Sequence, residues 1–232
     1  MILWVLLAAL SAHSFDVSSK IVGVRAGSTL AYIVVGEHVV LIDAGSDPHG
    51  VAILAELRRL GRDPNDVVAI LLTHAHRDAT AALALFPKAV TYVSEADHLL
   101  LRGDRHVDPL WVNILSRFLP APELPSRIQS IPPSARLSFA SMHFEAIALP
   151  GHTDGSVAYL HDHILFSGDS LLLEGNDVTP ASWWTSEHAN AQVLKRLVAW
   201  DFRGIADART GYAADGRARF DSWVQSRLTN TK

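Results

Sequence analysis

The 232-residue chain contains no cysteine. That excludes disulfides, thiolate metal ligands and a cysteine nucleophile together, and leaves no redox mark of a compartment. It also lacks a dominant charge: 20 Lys and Arg against 24 Asp and Glu give a formal net charge of −4. There is thus no electrostatic case for nucleic acid, and no such partner is expected. The opening apolar run, residues 1–10, is too short to cross a bilayer as a helix. Its form resembles the apolar core of a secretory signal, but no Lys or Arg precedes it, and Ala9 and Ser11 make a weak cleavage site. Residues 1–18 are assigned to a signal-like or anchoring segment, favouring an exported or membrane-anchored protein over a cytoplasmic one. Membrane contact is expected only through residues 1–12, if they are uncleaved. An N-terminal strand is the alternative reading. Against these absences stand 49% hydrophobic residues, which make a globular chain, and twelve histidines, which make metal chemistry the first thing to test.

Past residue 18 the pattern is that of strands. Lys20–Arg25, Thr29–Val35 and Val39–Asp43 are rich in Val, Ile and Leu and separated by Gly27 and Gly36. Val51, Leu54, Leu57 and Leu60 recur at helical spacing, with Gly61 as a stop. Val67–Thr73 reads as a buried strand, Ala79–Phe86 as a short helix and Ala89–Val93 as another strand. In the second half Met142–Leu149, Val157–His161 and Ile164–Phe166 read as strands. Helices are expected over Ala189–Ala199 and at the C-terminus, where Phe220, Trp223, Val224 and Leu228 share a face. Between the halves, Pro120, Pro122, Pro125, Pro132 and Pro133 preclude a regular helix or central strand. Neither half looks closed without the other, so residues 19–232 are assigned to one layered α/β domain.

Four turns carry the chemistry, each following an apolar strand. In Thr73-His74-Ala75-His76-Arg77-Asp78, residues two apart point the same way in an extended backbone, so both imidazoles can reach one ion. Asp78 has a second reading as the N-cap of the next helix. Pro150-Gly151-His152-Thr153 sets a histidine beside a glycine that permits a sharp turn. Ile42-Asp43-Ala44-Gly45 and Ser167-Gly168-Asp169-Ser170 each place a carboxylate at a strand end.

Together, and in this order, the LIDAG, THAHRD, PGHT and FSGDS turns resemble the metallo-β-lactamase superfamily, and most closely its glyoxalase II-like branch. The resemblance runs from about Lys20 to the C-terminus. It implies a four-layer αββα sandwich with a metal site at the edge of two facing sheets. It further implies that His74, His76 and His152 are the ligands of a first metal site, with Asp169 as the carboxylate that normally bridges two metals. Asp43 would brace the histidine-bearing turn.

Two departures concern the second site. Where the family's motif continues to a histidine after the aspartate, this chain has Ala79. Where a late Gly-His turn is expected, it reads Asp207-Ala208-Arg209-Thr210-Gly211-Tyr212, with Arg209 in the histidine's place or Tyr212 in another alignment. Both losses fall on one site, so the expectation is a mononuclear centre of one zinc ion, with iron as an alternative metal. Arg209 is expected either to replace the missing cation, pairing with Asp78 and Asp169, or to be a solvated surface residue.

The reaction the resemblance implies is hydrolysis of a small ester, thioester or lactam-type substrate by metal-bound hydroxide, with Asp78 orienting the nucleophile or taking its proton. The alternatives are a non-haem iron, persulfide dioxygenase-like oxidoreductase and a relative that binds without turnover. Trp183, Trp184 and Tyr212 are candidates for substrate contact.

Overall fold

A computed structural model describes residues 14–102, 124–125, 127–180 and 196–229, with residues 227–229 described by backbone alone. The first sheet consists of β1 (Ser14–Ser18), β2 (Ile21–Ala26), β3 (Thr29–Val35), β4 (Val39–Ile42), β5 (Val67–Leu71), β6 (Val90–Ser94) and β7 (Ile128–Ile131), in that spatial order. Its helices are α1 (Val51–Arg59), α2 (Arg77–Thr80) and α3 (Glu95–Leu101). The second sheet contains β8 (Arg136–Phe139), β9 (Met142–Ala148), β10 (Val157–His161) and β11 (Ile164–Gly168). A separate hairpin follows, β12 (Leu171–Glu174) and β13 (Asp177–Pro180). Then come β14 (Gly204–Asp207), β15 (Tyr212–Ala213) and α4 (Gly216–Thr229). The second sheet has the order β15-β14-β11-β10-β9-β8.

The layering follows from the period of two in the apolar strands. Leu30, Tyr32, Val34, Val40, Ile42, Ala69 and Leu71 point to one side of the first sheet and meet Phe144, Ala146, Tyr159 and Phe166 of the second. The alternate residues Ala31, Ile33, Val39, Leu41 and Ile70 point outward and are covered by Ile53 and Leu57 of α1 with Phe86 and Leu101. On the far side Ile147, Ala158, Leu165 and Ile205 are covered by the β12–β13 hairpin and Phe220 of α4. Strands buried on both faces read as continuous apolar runs, which is why β3, β4 and β11 are so easily seen in the sequence. The result is the αββα sandwich.

Several boundaries differ from the sequence reading. Residues 14–18 are already a strand, where the sequence pattern places strands only after residue 18: β1 pairs antiparallel with β2, and Phe15 lies over Gly23, where a Cβ would come within 2.2 Å of the ring. Residues 1–13 lie outside the described residues. The stretch read as one helix over Ala79–Phe86 is the short α2 followed by a 3-10 turn at Leu83–Leu85. The proline-rich segment carries β7 between Pro125 and Pro132. No proline falls within its four residues, and it pairs on one side only, at the edge of the sheet. Most of Ala189–Ala199 lies outside the described residues.

The strand directions fix where a site can be. β4, β5, β6 and β7 are mutually parallel, as are β11 and β14, and β9 runs with β11 because both are antiparallel to β10. The carboxyl ends of β4, β5, β9, β11 and β14 lead into Asp43, His74, His152, Asp169 and Arg209 respectively. In open parallel sheets, the loops beyond the carboxyl ends are where ligands bind.

Candidate metal centre

His74 and His76 leave β5 in an extended turn. His152 arrives from the other sheet, in the turn after β9. The three rings pack edge to face with centroids 4.7 to 5.0 Å apart. One ring nitrogen of each lies within 4.8 Å of the other two, and His76 Nδ1 is 2.9 Å from His152 Nε2. Asp169 Oδ2 stands 3.3 Å from His152 Nε2 and 3.9 Å from His74 Nε2. Asp78 Oδ1 stands 3.6 Å from His74 Nε2, too far for a hydrogen bond. Asp78 lies inside the first turn of α2, whose N-cap position is occupied by His76, so it has no capping duty.

Arg209 is not a solvated surface residue. Its Nε donates to Asp169 Oδ1 at 2.8 Å and Oδ2 at 3.1 Å, and its Nη2 donates to Asp78 Oδ2 at 2.6 Å and to Asp169 Oδ2. One guanidinium fork thus bridges two carboxylates from opposite sheets. Burial alone would raise the pKa of Asp78, but His74 and Arg209 hold it well below the usual carboxylate range.

Asp43 is bonded to the turn that carries the histidines. It sits at φ +59°, and its two oxygens accept from the Thr73 amide at 2.8 Å and the Thr73 hydroxyl at 2.7 Å. Because that hydroxyl hydrogen goes to Asp43, the Thr73 oxygen, 3.1 Å from His74 Nδ1, accepts from it. His74 Nε2 is then the nitrogen aimed among the other histidines, where it can take a proton or a metal ion. Gly168 makes this approach possible. At φ +56° it lies over Thr73, and a Cβ there would fall 2.3 Å from the Thr73 hydroxyl oxygen. Gly168→Ala is expected to destabilise the protein by about 2 kcal/mol, combining left-handed backbone strain with the clash. The readout is the urea midpoint at unchanged slope; an unmoved midpoint would mean that Thr73 yields without cost.

A family model described as the metallo-beta-lactamase superfamily matches residues 24–215. The chain belongs to this superfamily. Among curated relatives, a hydroxyacylglutathione hydrolase of Shewanella sp. is 32% identical over 124 residues, 52% of this chain and 42% of that protein. A probable metallo-hydrolase of Methanocaldococcus jannaschii is 26% identical over 64% of this chain and 69% of its own length. The match therefore spans less than half of the Shewanella hydrolase. A metallo-beta-lactamase family protein from Thermus thermophilus superposes with a TM-score of 0.71 at 23% identity, over 92% of this chain and 81% of that one. A B3 metallo-beta-lactamase with an active-site glutamic acid gives 0.67 at 21% identity, over 98% and 95%. These two likenesses establish the fold.

Superfamily members bind divalent metals, and the side chains present here fit one. His74 Nε2 is buried (the residue is 2% exposed) and finds no hydrogen-bond partner among the described residues; nor do Asp78 Oδ1 and His152 Nδ1. A buried polar atom without a partner is costly, and at His74 Nε2 a proton or a metal ion would relieve that cost. Burial would lower the pKa of His74, yet the carboxylates of Asp78, Asp169 and Asp43 raise it to about 9. The site therefore demands positive charge at that nitrogen. Burial and the charge of His74 lower His76 to about 4 and His152 to about 3, which keeps both imidazoles neutral, the form that binds metal.

Other candidates lie elsewhere. Ala79 is buried and offers no donor. The Tyr212 ring packs over Gly204, at the amino end of β14, where a Cβ would come within 2.6 Å of it. That is the end opposite Asp207, so the ring joins the inter-sheet core rather than the histidines. Trp183 and Trp184 lie outside the described residues.

Two residues escaped the sequence reading. Asp207, fully buried, gathers the backbone amides of Leu173, Arg209, Thr210 and Gly211, and so shapes the turn that presents Arg209. Its signal was available: an aspartate directly after an apolar strand, as in the LIDAG and FSGDS turns. The other is Asp97 in α3, whose N-cap Ser94 accepts from the Asp97 amide. Its only sequence trace is that Ser-x-x-Asp spacing, which indicates a helix start and nothing more.

Proposed function

We propose that this chain is a hydrolase that works with a single zinc ion on a small ester, thioester or lactam-type substrate. His74, His76 and His152 would hold the metal, with Asp169 beside them. The observation that carries this reading is the convergence of three ring nitrogens from two sheets, one of them buried without a partner. Zinc bound there supplies Lewis acidity: it polarises a carbonyl oxygen and makes water ionisable near neutral pH.

The protein's own groups supply the rest. Asp78 Oδ1 accepts a hydrogen bond from the attacking water and orients it, while Oδ2 is held by Arg209. With its pKa held so low, Asp78 is a better orienting acceptor than a proton store. Arg209 supplies the fixed charge that lets Asp78 and Asp169 lie close together, the task a second cation would otherwise have. Because Arg209 engages both oxygens of Asp169, a ligand set of three neutral imidazoles is favoured over two histidines and a carboxylate. The same contact favours the zinc hydrolase over the iron persulfide dioxygenase reading. The hydroxyacylglutathione hydrolases among the relatives put hydroxyacylglutathione first among substrates to try.

Metal-stripped protein titrated with zinc is expected to take up one equivalent and then to hydrolyse at least one of a hydroxyacylglutathione, an aryl ester and a lactam. His152→Ala should weaken zinc by more than about 100-fold, since removing a ligand exceeds the usual cost of losing one of its supports. Native protein that takes up no zinc rejects the metal reading. Uptake with no turnover of any of the three substrates rejects the hydrolase and leaves a binding relative.

A further inference from the structure

The histidines of this site come from different sheets, and something must hold their two turns at a fixed distance. Apart from the Arg209 fork between Asp78 and Asp169, three contacts join the sheets beside this turn: the Val157 amide donates to the Thr73 carbonyl at 2.8 Å, the Tyr159 hydroxyl donates to the Leu72 carbonyl at 3.0 Å, and Gly168 lies against Thr73. All of these fix the root of the His74 turn. None of them touches the Ala75–His76 half, nor the Pro150–Gly155 turn that carries His152.

Asp97 touches both. Its Oδ2 accepts from the Ala75 amide, between the two histidines of the first turn, at 2.8 Å. The same oxygen accepts from the Thr153 hydroxyl at 2.8 Å, next to His152, and Oδ1 accepts from the Gly155 amide at 3.0 Å. The approach is close enough that a Cβ on Gly155 would fall 2.4 Å from Asp97 Oδ1. The residue is 2% exposed, and a charge buried there is costly unless its oxygens are hydrogen-bonded. An acid in the first turn also suits the N-terminus of α3, but that role is met at the surface and does not call for a buried carboxylate bonded to two other turns.

We propose that Asp97 is a positioning residue for the metal centre: its carboxylate ties the His74–His76 turn to the His152 turn and sets the distance between their imidazoles. This rests on the metal reading above. Asparagine at 97 has one acceptor oxygen where aspartate has two. Its amide nitrogen would face either the Gly155 amide or the Ala75 amide and Thr153 hydroxyl, donor against donor. The two turns would part, and His152 would move relative to His76.

The test compares native protein, Asp97→Asn and Thr153→Val, each stripped of metal and held at a temperature where circular dichroism shows it folded. Zinc affinity is measured by competition with a chromophoric chelator, and the ligand-field bands of the cobalt(II) form report coordination geometry. Asp97→Asn is expected to bind zinc about 10- to 100-fold more weakly, with altered cobalt bands, as for a lost support of a metal ligand. Thr153→Val removes only one of the three donors and should give a smaller loss in the same direction, which keeps the test alive should Asp97→Asn fail to fold. A purely structural aspartate would lower the unfolding temperature while leaving affinity and cobalt spectrum of the folded protein native, and that result overturns the proposal. Native protein that binds neither metal would instead sink the metal reading itself, which separates the two failures.

Discussion

Zinc uptake is expected to rise from one equivalent in the native protein to two in the Ala79→His, Arg209→His double variant. The guanidinium now lies between Asp78 and Asp169, so any cation approaching both carboxylates must displace it. Replacing it with imidazole removes the fixed charge and adds a donor at the same turn, and histidine at position 79 adds another beside Asp78. Each single variant should still take up one equivalent. Ala79→His leaves the guanidinium in place, and Arg209→His alone supplies too few ligands. Ala79 is 3% exposed, so the larger side chain carries an overpacking cost of about 1–3 kcal/mol, and folding must be checked alongside. Metal analysis after dialysis decides the matter. Two equivalents in the native protein would overturn the mononuclear reading, and one in the double variant would mean that Arg209 does not stand where a second ion would.

Arg209→Ala should destabilise the metal-free protein by about 3 kcal/mol, near the low end of what breaking a buried ion pair costs. The low end applies because Arg209 and Asp78 keep about a quarter of their side-chain surface, 26% and 27%, whereas Asp169 keeps only 3%. For a chain of this size that corresponds to a fall of roughly 6–12 °C in unfolding temperature. The sign of the pH dependence follows from Asp78, whose folded-state pKa lies below its unfolded one. Its contribution is present above about pH 4, the ordinary aspartate value, and fades as pH falls through the folded value. The gap between native and variant should therefore hold at neutral pH and narrow only in acid. Arg209→Lys keeps the charge but loses the fork, so it should fall between the two. Equal unfolding temperatures for native and Arg209→Ala at pH 7 would remove Arg209 from any electrostatic role.

Legibility in the sequence tracked how local the cause was. β3, β4 and β11 announce themselves because burial on both faces leaves no polar residue to break the run. Gly61 closes α1 through a left-handed turn at φ +67°, a purely local matter. The β10–β11 turn is local too: Asp162 and His163 both take positive φ, as a two-residue hairpin requires. By contrast, β1 is not legible as a strand in the sequence, because none of its five residues is fully buried and they give a weak pattern. β7 was hidden by the prolines around it, and Tyr212 was drawn to the site by sequence proximity to Arg209 when its ring points to the other end of β14.

What the order of residues determined unaided is the set of strand-end turns bearing His74, His76, His152, Asp169 and Asp43, because alternation and turn chemistry act within a few residues. Partnership across 22 to 131 positions could come only from the folded chain, which brings Arg209 to Asp78 and Asp97 to the Ala75 amide. A carboxylate's neighbours are chosen by the packing of sheets and helices, and no local rule encodes that choice.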